Sequence, residues 1–134
     1  MKKGKVGEVA TEPFGFNDDG SEPAPQGPYY GSAGTGCAIG RPVADEHYMK
    51  CLAAGVKIAG TIAEAIPRQW ECQIGPCVCV QMEDHLTRAR YIMLRVSETH
   101  GCVVSISPKP CEGDRNGARC HTDFSTKSMR EEGG

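Results

Sequence analysis

Two short stretches of the chain contain residue types that could bind a divalent metal ion. Glu71 lies in the first, residues 69–76, and His121 lies in the second, residues 116–125. Carboxylate oxygens and imidazole nitrogens are common ligands of divalent cations in proteins. We therefore take Glu71 and His121 as a candidate metal-binding pair. Whether the two side chains can face a metal ion depends on the secondary structure of the two stretches.

Both stretches have the period-two alternation of a β-strand. Side chains along a strand point alternately to its two faces. In the first stretch, one face would carry Trp70, Cys72 and Ile74, and the other Gln69, Glu71 and Gln73. In the second, one face would carry His121, Asp123 and Ser125, and the other Thr122 and Phe124. Each strand could thus bury one face and present a metal ligand from the other.

The rest of the pattern predicts an α+β fold, with helices packed on one face of a mostly antiparallel sheet. The elements expected after an irregular, Gly/Pro-rich lead-in at 1–42 are a helix at 43–54, strands at 56–59 and 69–74, a helix at 83–99, a strand at 103–107, a loop at 109–118 and the His121 strand. Residues 43–134 would form one partial domain.

Apolar residues at helical spacing predict the buried face of each helix. For the first helix the predicted stripe is Ala44, Tyr48, Cys51 and Leu52. For the second it is Leu86, Ala89, Met93 and Val96.

Composition excludes several classes of function. The net charge of −2 and pI of about 6.1 give no basic field for nucleic acid. No apolar run is long enough to span a bilayer, and no apolar segment follows the basic start as in a signal peptide. Eight cysteines without an export signal are typical of reduced thiols, which indicates a cytoplasmic protein.

Three other sites have weaker support. Cys72, Cys77 and Cys79 with His85 do not have standard zinc spacing, and buried thiols explain them better. Cys120 and His121 are adjacent on a predicted strand, so their side chains would point to opposite faces. Residues 31–36 are glycine-rich, but no Lys-Ser/Thr pair follows them as in a phosphate-binding loop.

The chain resembles the middle of a eukaryotic-type glutamine synthetase, from about residue 12 to residue 134. The residues that carry the resemblance include Pro13-Phe14-Gly15, Gly27-Pro28-Tyr29-Tyr30, Glu46-His47-Tyr48, Ala54-Gly55-Val56-Lys57-Ile58-Ala59-Gly60-Thr61, Gln69-Trp70-Glu71, Gln73-Ile74-Gly75-Pro76-Cys77, Asn116-Gly117-Ala118, Cys120-His121-Thr122, Phe124-Ser125-Thr126-Lys127 and Met129-Arg130-Glu131-Glu132.

The resemblance implies an ATP-dependent ligation of ammonia to L-glutamate, with Mg²⁺ or Mn²⁺ neutralising charge during phosphoryl transfer. By resemblance, Glu71 and His121 bind metal, and Asn116 and Gly117 lie next to the substrate glutamate. The same comparison assigns the ATP side to Asp123, Phe124 and Ser125.

The chain also departs from the family pattern. The family has a second metal-binding glutamate where this chain has Val78, and its first metal carboxylates fall at Met1 and Lys3. A family asparagine is Asp123 here, and a family glycine is Arg119. The family continues past Gly134 with substrate-binding arginines and a further metal glutamate, and it has a preceding β-grasp domain. Two metal ligands are too few for a multi-metal site.

Two functional hypotheses follow from the resemblance and the departures. In the first, the chain is a glutamine synthetase relative that is catalytically inactive in isolation. In the second, it is a non-catalytic paralogue that docks on full-length synthetase subunits through sheet edges, or an unstable gene-model fragment.

Overall fold

A computed structural model describes residues 2–3, 26–110 and 113–133 of the chain. Its elements in chain order are β1 (Lys2–Lys3), α1 (Arg41–Ala53), β2 (Ile58–Ala63), β3 (Trp70–Ile74), α2 (Gln81–Thr99), β4 (Cys102–Val103) and a 3₁₀ turn at Ser128–Arg130. Strands β2 and β3 form one antiparallel pair, and β1 and β4 form another. Helices combined with antiparallel strands confirm the predicted α+β class.

Helix α1 begins two residues before the predicted start. Pro42 lies in its first turn, where its missing N–H costs nothing. Gly55 follows the helix with a φ of 72° and donates its N–H to the carbonyl of Leu52, a left-handed ending that glycine adopts without strain. The predicted stripe was wrong at Leu52, which is 45% exposed, because His47 occupies the buried face instead.

Strands β2 and β3 form a hairpin that carries Glu71. Thr61 pairs with Cys72, and Ile62 pairs with Glu71. The turn is closed where Glu64 donates its N–H to the carbonyl of Gln69 at 2.9 Å. Strand β2 begins two residues after the predicted start of 56 and ends four residues after the predicted end of 59, because its pairing with β3 runs from Ile58 to Ala63.

Helix α2 packs its predicted stripe against the hairpin and α1. Ala89 and Val96 are buried, and Leu86 and Met93 are half-buried, which confirms the predicted face. The acidic residues Glu83 and Asp84 lie in the first turn, where the helix dipole favours negative charge.

One core joins these elements. Its buried centre contains Cys51 from α1, Val56, Ile58 from β2 and Ala89 from α2. The side chains of Tyr48, Cys72, Ile74 and Ile92 pack against that centre. Both helices therefore cover the same face of the hairpin, and the opposite face of β3 is left to solvent.

Two polar contacts join the helices directly. His47 is buried, and its Nε2 donates to the carbonyl of Ala89 at 2.9 Å. Burial lowers the pKa of His47, so the ring is neutral at physiological pH. At the C-terminal end of α2, His100 Nε2 lies 2.6 Å from Glu46 Oε2 of α1.

The strand predicted at 103–107 is mostly absent, since β4 ends at Val103. Ser107 donates its N–H to the hydroxyl of Ser105 at 3.1 Å, and this local bond competes with a strand ladder. The predicted metal-carboxylate position at Met1 lies outside the described residues. Within the described part of the chain, no helix is long and apolar enough to cross a membrane.

Candidate functional site

Strand β3 holds Glu71 toward solvent. Along the strand, Trp70, Cys72 and Ile74 are half-buried and alternate with exposed Glu71 and Gln73, which confirms the predicted faces. The strand is fixed in this orientation by the packing of Cys72 and Ile74 against the core.

Trp70 anchors the start of the same strand. Its indole N–H donates to the carbonyl of Ile39 at 2.8 Å, and the guanidinium of Arg41 lies 5.0 Å from the ring centroid. Arg41 in turn donates to the carbonyl of Ser32 at 2.7 Å. The indole N–H and the ring face of Trp70 thus both have a partner at the start of β3.

Two glutamines hold the loop that contains Asn116 and Gly117. Asn116 Nδ2 donates to Gln69 Oε1 at 3.0 Å, and Gln69 Nε2 donates to the carbonyl of Gly117 at 3.5 Å. The backbone N–H of Asn116 donates to Gln26 Oε1. Gln26 Nε2 completes the arrangement by donating to the carbonyl of Asp114 at 2.8 Å. We call Gln26 and Gln69 the glutamine clamp.

The backbone at Gly117 lies close to the preceding loop. A Cβ atom at this position would come within 3.2 Å of the carbonyl oxygen of Pro108, tighter than ordinary van der Waals contact. The neighbouring Ala118 donates its N–H to that same oxygen at 2.7 Å. A side chain at Gly117 would therefore press on the carbonyl oxygen of Pro108 and disturb the hydrogen bond that Ala118 makes to it.

The clamped loop borders an open pocket of about 440 Å³. Its lining residues are Gln26, Gly27, Ala65, Asp114, Arg115, Asn116 and Gly117. This volume is in the range of small-molecule sites, and amide and charged groups dominate the lining. The pocket could accommodate a small polar molecule that hydrogen-bonds to the loop.

No sequence pattern singles out Gln26, whose role depends on a contact with a residue 90 positions away along the chain. Gln69 could have been found, because it shares a strand face with Glu71 and its amide can bond to a neighbouring segment.

The strand predicted around His121 was wrong. No helix or strand is formed at 113–127, and the side chains of His121, Asp123, Phe124 and Ser125 are all exposed. A strand exists only through hydrogen bonds to a neighbour, and no strand of the described residues pairs with this segment. Phe124, expected on a separate face, is 79% exposed.

Ser125 has well-defined contacts despite its exposure. Arg130 Nη1 donates to the carbonyl of Ser125 at 2.7 Å and to its hydroxyl at 2.8 Å. The 3₁₀ turn at Ser128–Arg130 places the guanidinium there. The segment is thus ordered by side-chain contacts rather than by a ladder.

The donor set does not fit a multi-metal centre. Among residues 26–110 and 113–133, no three His, Cys, Asp or Glu side chains converge as metal ligands. Glu71 and His121 are both exposed, and Val78, which is 69% exposed, presents hydrocarbon where the family resemblance expects a carboxylate. The seven described cysteines are free thiols. We therefore derive no reaction step through a metal ion held by these residues alone.

Sequence comparison identifies the class of protein to which this site belongs. The family model described as glutamine synthetase, catalytic domain, matches residues 3–132. The chain is 53% identical over 127 residues to glutamine synthetase of Colletotrichum gloeosporioides, covering 95% of this chain and 35% of that protein. It is 56% identical over 122 residues to glutamine synthetase of Homo sapiens, covering 91% of this chain and 32% of that protein.

A chloroplastic glutamine synthetase of Daucus carota is 52% identical over 122 residues, covering 91% of this chain and 28% of that protein. The chain belongs to the glutamine synthetase family, within the catalytic domain. It spans about a third of the length of the curated relatives it matches.

Proposed function

We propose that this chain takes part in the ATP-dependent ligation of ammonia to L-glutamate, which gives glutamine, ADP and phosphate. One observation carries the proposal. Glu71 is exposed on β3, and Gln69, the residue that immediately precedes β3, holds the loop of Asn116 and Gly117 through its amide. The resemblance assigns Glu71 to metal binding and the loop of Asn116 and Gly117 to glutamate binding. Gln69 therefore joins that loop by hydrogen bonds to the strand that carries Glu71.

The proposed roles follow the family resemblance residue by residue. They are metal binding by Glu71 and His121, glutamate binding by Asn116 and Gly117, and ATP binding by Asp123, Phe124 and Ser125. The open pocket beside Asn116 and Gly117 supports the glutamate assignment, because Gln26, Asp114, Arg115 and Asn116 line it with amide and charged groups that could bind a polar molecule. In the family, Mg²⁺ or Mn²⁺ would accompany ATP.

We further propose that the chain in isolation is catalytically inactive. A multi-metal site needs several hard oxygen ligands, and Glu71 and His121 supply two ligands, one of them nitrogen. Val78 adds no lone pair at the position where the family pattern has a carboxylate. Phosphoryl transfer depends on positioned positive charge, so an incomplete donor set removes most of its electrostatic stabilisation.

Two assays test these proposals separately. In the first, the purified chain is incubated with L-glutamate, ammonium, ATP and Mg²⁺ or Mn²⁺, and glutamine is measured by mass spectrometry beside a full-length glutamine synthetase. We expect glutamine from the full-length enzyme only. Glutamine formation by the isolated chain above a heat-treated control would overturn the inactivity.

The second assay measures L-glutamate binding by amide chemical shifts of the isotopically labelled chain. We expect shifts concentrated at Asn116 and Gly117 that are lost in Asn116→Ala and retained in Gln73→Ala, a change on the exposed face of β3. Shifts that are absent, or that survive Asn116→Ala, would contradict the glutamate assignment.

A second candidate function is docking on full-length synthetase subunits. Strand β3 has β2 as its partner, and within the described residues no strand pairs with its outer edge. Unpaired strand edges readily pair with other chains. Co-purification of the tagged chain with a co-expressed full-length synthetase would support docking. Recovery of the tagged chain alone, in a form without ordered tertiary structure, would support the unstable fragment.

We place the protein in the cytoplasm and expect no nucleic-acid partner. The cysteine content, 8 of 134 residues, is below that of a disulfide scaffold and supports a reducing compartment. The net charge of −2 supports the absence of a nucleic-acid surface.

A further inference from the structure

The loop held by the glutamine clamp contains the one Asn-Gly pair of the chain, Asn116 and Gly117. Asparagine is a chemically labile residue, because the backbone nitrogen of the next residue can attack its side-chain carbonyl carbon and close a five-membered ring. Glycine has no Cβ, so it hinders this attack least. The other asparagine of the chain, Asn17, is followed by Asp18, whose side chain hinders ring closure. The sequence therefore favours ring closure at Asn116.

The backbone N–H of Gly117 is not occupied by a hydrogen bond. The N–H before it, of Asn116, donates to Gln26 Oε1, and the N–H after it, of Ala118, donates to the carbonyl of Pro108 at 2.7 Å. Within the part of the chain that the structure describes, the N–H of Gly117 has no acceptor. Gly117 is also exposed and lies in no helix or strand, so water has access to it. The nucleophile that ring closure needs is thus available.

The glutamine clamp resists the reaction from the side of the asparagine. Asn116 Nδ2 donates to Gln69 Oε1 at 3.0 Å, and Gln69 Nε2 donates to the carbonyl of Gly117 at 3.5 Å. Ring closure moves the side chain of Asn116 toward the Gly117 nitrogen, and both hydrogen bonds oppose that movement. The reaction therefore proceeds from the opened loop, and the opening equilibrium sets its rate.

We propose that Asn116 is a site of spontaneous deamidation whose rate is set by the glutamine clamp. The Gly117 nitrogen loses its proton to water and attacks Cγ of Asn116, and Nδ2 takes up a proton and leaves as ammonia. Water then opens the cyclic imide at either of its two carbonyls, which gives aspartate or isoaspartate. In total one water molecule is consumed, one amide becomes a carboxylate, and one ammonium ion is released.

Deamidation would weaken the clamp. A carboxylate has no N–H to donate, so its oxygens would face Gln69 Oε1 as a second acceptor. Gln69 could satisfy the carboxylate by turning its Nε2 toward it, but that turn breaks the bond to the carbonyl of Gly117. Isoaspartate in addition lengthens the main chain before Gly117 by one carbon atom. The inference concerns a chemical modification of this chain and does not depend on the proposed ligase function.

The test follows deamidation of the folded chain during incubation at mildly alkaline pH, where the nitrogen loses its proton more readily. Samples are digested with endoproteinase Glu-C at acidic pH, and the peptide 113–131 contains Asn116 as its one asparagine and has no glutamine. Mass spectrometry should show a mass increase of one dalton and two products, aspartate and isoaspartate. An unchanged peptide would overturn the proposal, and aspartate without isoaspartate would contradict the cyclic imide.

Variants test the control by the clamp. We expect deamidation to be about tenfold faster in Gln69→Ala, because loss of its two hydrogen bonds opens the loop by about that factor. Gln73→Ala is the matched control and should deamidate at the rate of the unmodified chain. The chain unfolded in urea should deamidate at least as fast as Gln69→Ala. Equal rates for the folded and unfolded chain, or for the two variants, would contradict control by the clamp.

Hydroxylamine gives an independent readout, because it cleaves a cyclic imide. Cleavage at this position splits the chain into fragments 1–116 and 117–134. We expect the fragments to form faster in Gln69→Ala than in Gln73→Ala, and to be suppressed in Gly117→Ala, where the added Cβ hinders attack by the nitrogen. Cleavage at an unchanged rate in Gly117→Ala would contradict the role assigned to the Gly117 nitrogen.

Discussion

The glutamine clamp makes a quantitative prediction about the loop of Asn116 and Gly117. In Gln69→Ala the loop loses a 3.0 Å hydrogen bond from Asn116 Nδ2 and a weaker 3.5 Å bond to the carbonyl of Gly117. A partly exposed hydrogen bond contributes about 1 kcal/mol net, and the longer one contributes less. We therefore expect the local opening free energy of the loop to fall by about 1.4 kcal/mol, a tenfold change in its opening equilibrium.

Amide hydrogen exchange measures this opening directly. The N–H of Ala118 donates to the carbonyl of Pro108 at 2.7 Å, so its exchange rate reports whether the loop is seated. We expect exchange at Ala118 to accelerate about tenfold in Gln69→Ala. Gln73→Ala is the matched control, because it makes the same chemical change on the exposed face of β3. Equal acceleration in both variants, or none in Gln69→Ala, would refute the assignment of the clamp.

Two further predictions concern the helix pair. Val96→Ala, at a fully buried site, should lower the free energy of unfolding by about 2 kcal/mol in urea titrations, whereas Val80→Ala, 74% exposed, should change it by less than about 0.5 kcal/mol; similar losses would contradict the core assignment. Hydrogen bonding by His100 is the main cause that lowers the pKa of Glu46 from its usual 4.5, so His100→Ala should raise that pKa in an NMR titration. Because the folded pKa is lowered, the stabilisation is present above about pH 4.5 and is lost as the pH falls through the folded pKa; an unchanged Glu46 titration would exclude the pair.

The spacing of apolar residues predicted the structure correctly where one face of an element is buried. The faces of β3 and the stripe of α2 followed from periodicity, because apolar side chains at a fixed spacing must share one side. The same reasoning failed at Leu52, because His47, whose Nε2 bonds to the carbonyl of Ala89, takes the buried position on this face and apolar spacing does not reveal a buried histidine.

The structure of the C-terminal segment could not be predicted from the sequence. Alternation around His121 predicted a strand, but a strand requires a neighbour, and alternation does not reveal whether one is present. The clamp residue Gln26 was missed because its contact to Asn116 spans 90 positions. The proposed site residues come from the family resemblance and stay predictions, whereas the hydrogen bonds between Gln69 and the loop of Asn116 and Gly117 came from the structure.

The central proposal is that Glu71 and His121 are metal ligands, as the family resemblance assigns them, and that Val78 lies where the family pattern has a further carboxylate. Manganese binding by Val78→Glu tests it most directly, with Val80→Glu as the matched control, since both valines are exposed in the turn before α2. Isothermal titration with Mn²⁺ should show weak binding to the unmodified chain, an increase of at least about tenfold in affinity for Val78→Glu, and less than about twofold for Val80→Glu. Equal increases for the two variants, or an increase that persists when Glu71→Gln is added to Val78→Glu, would contradict the account.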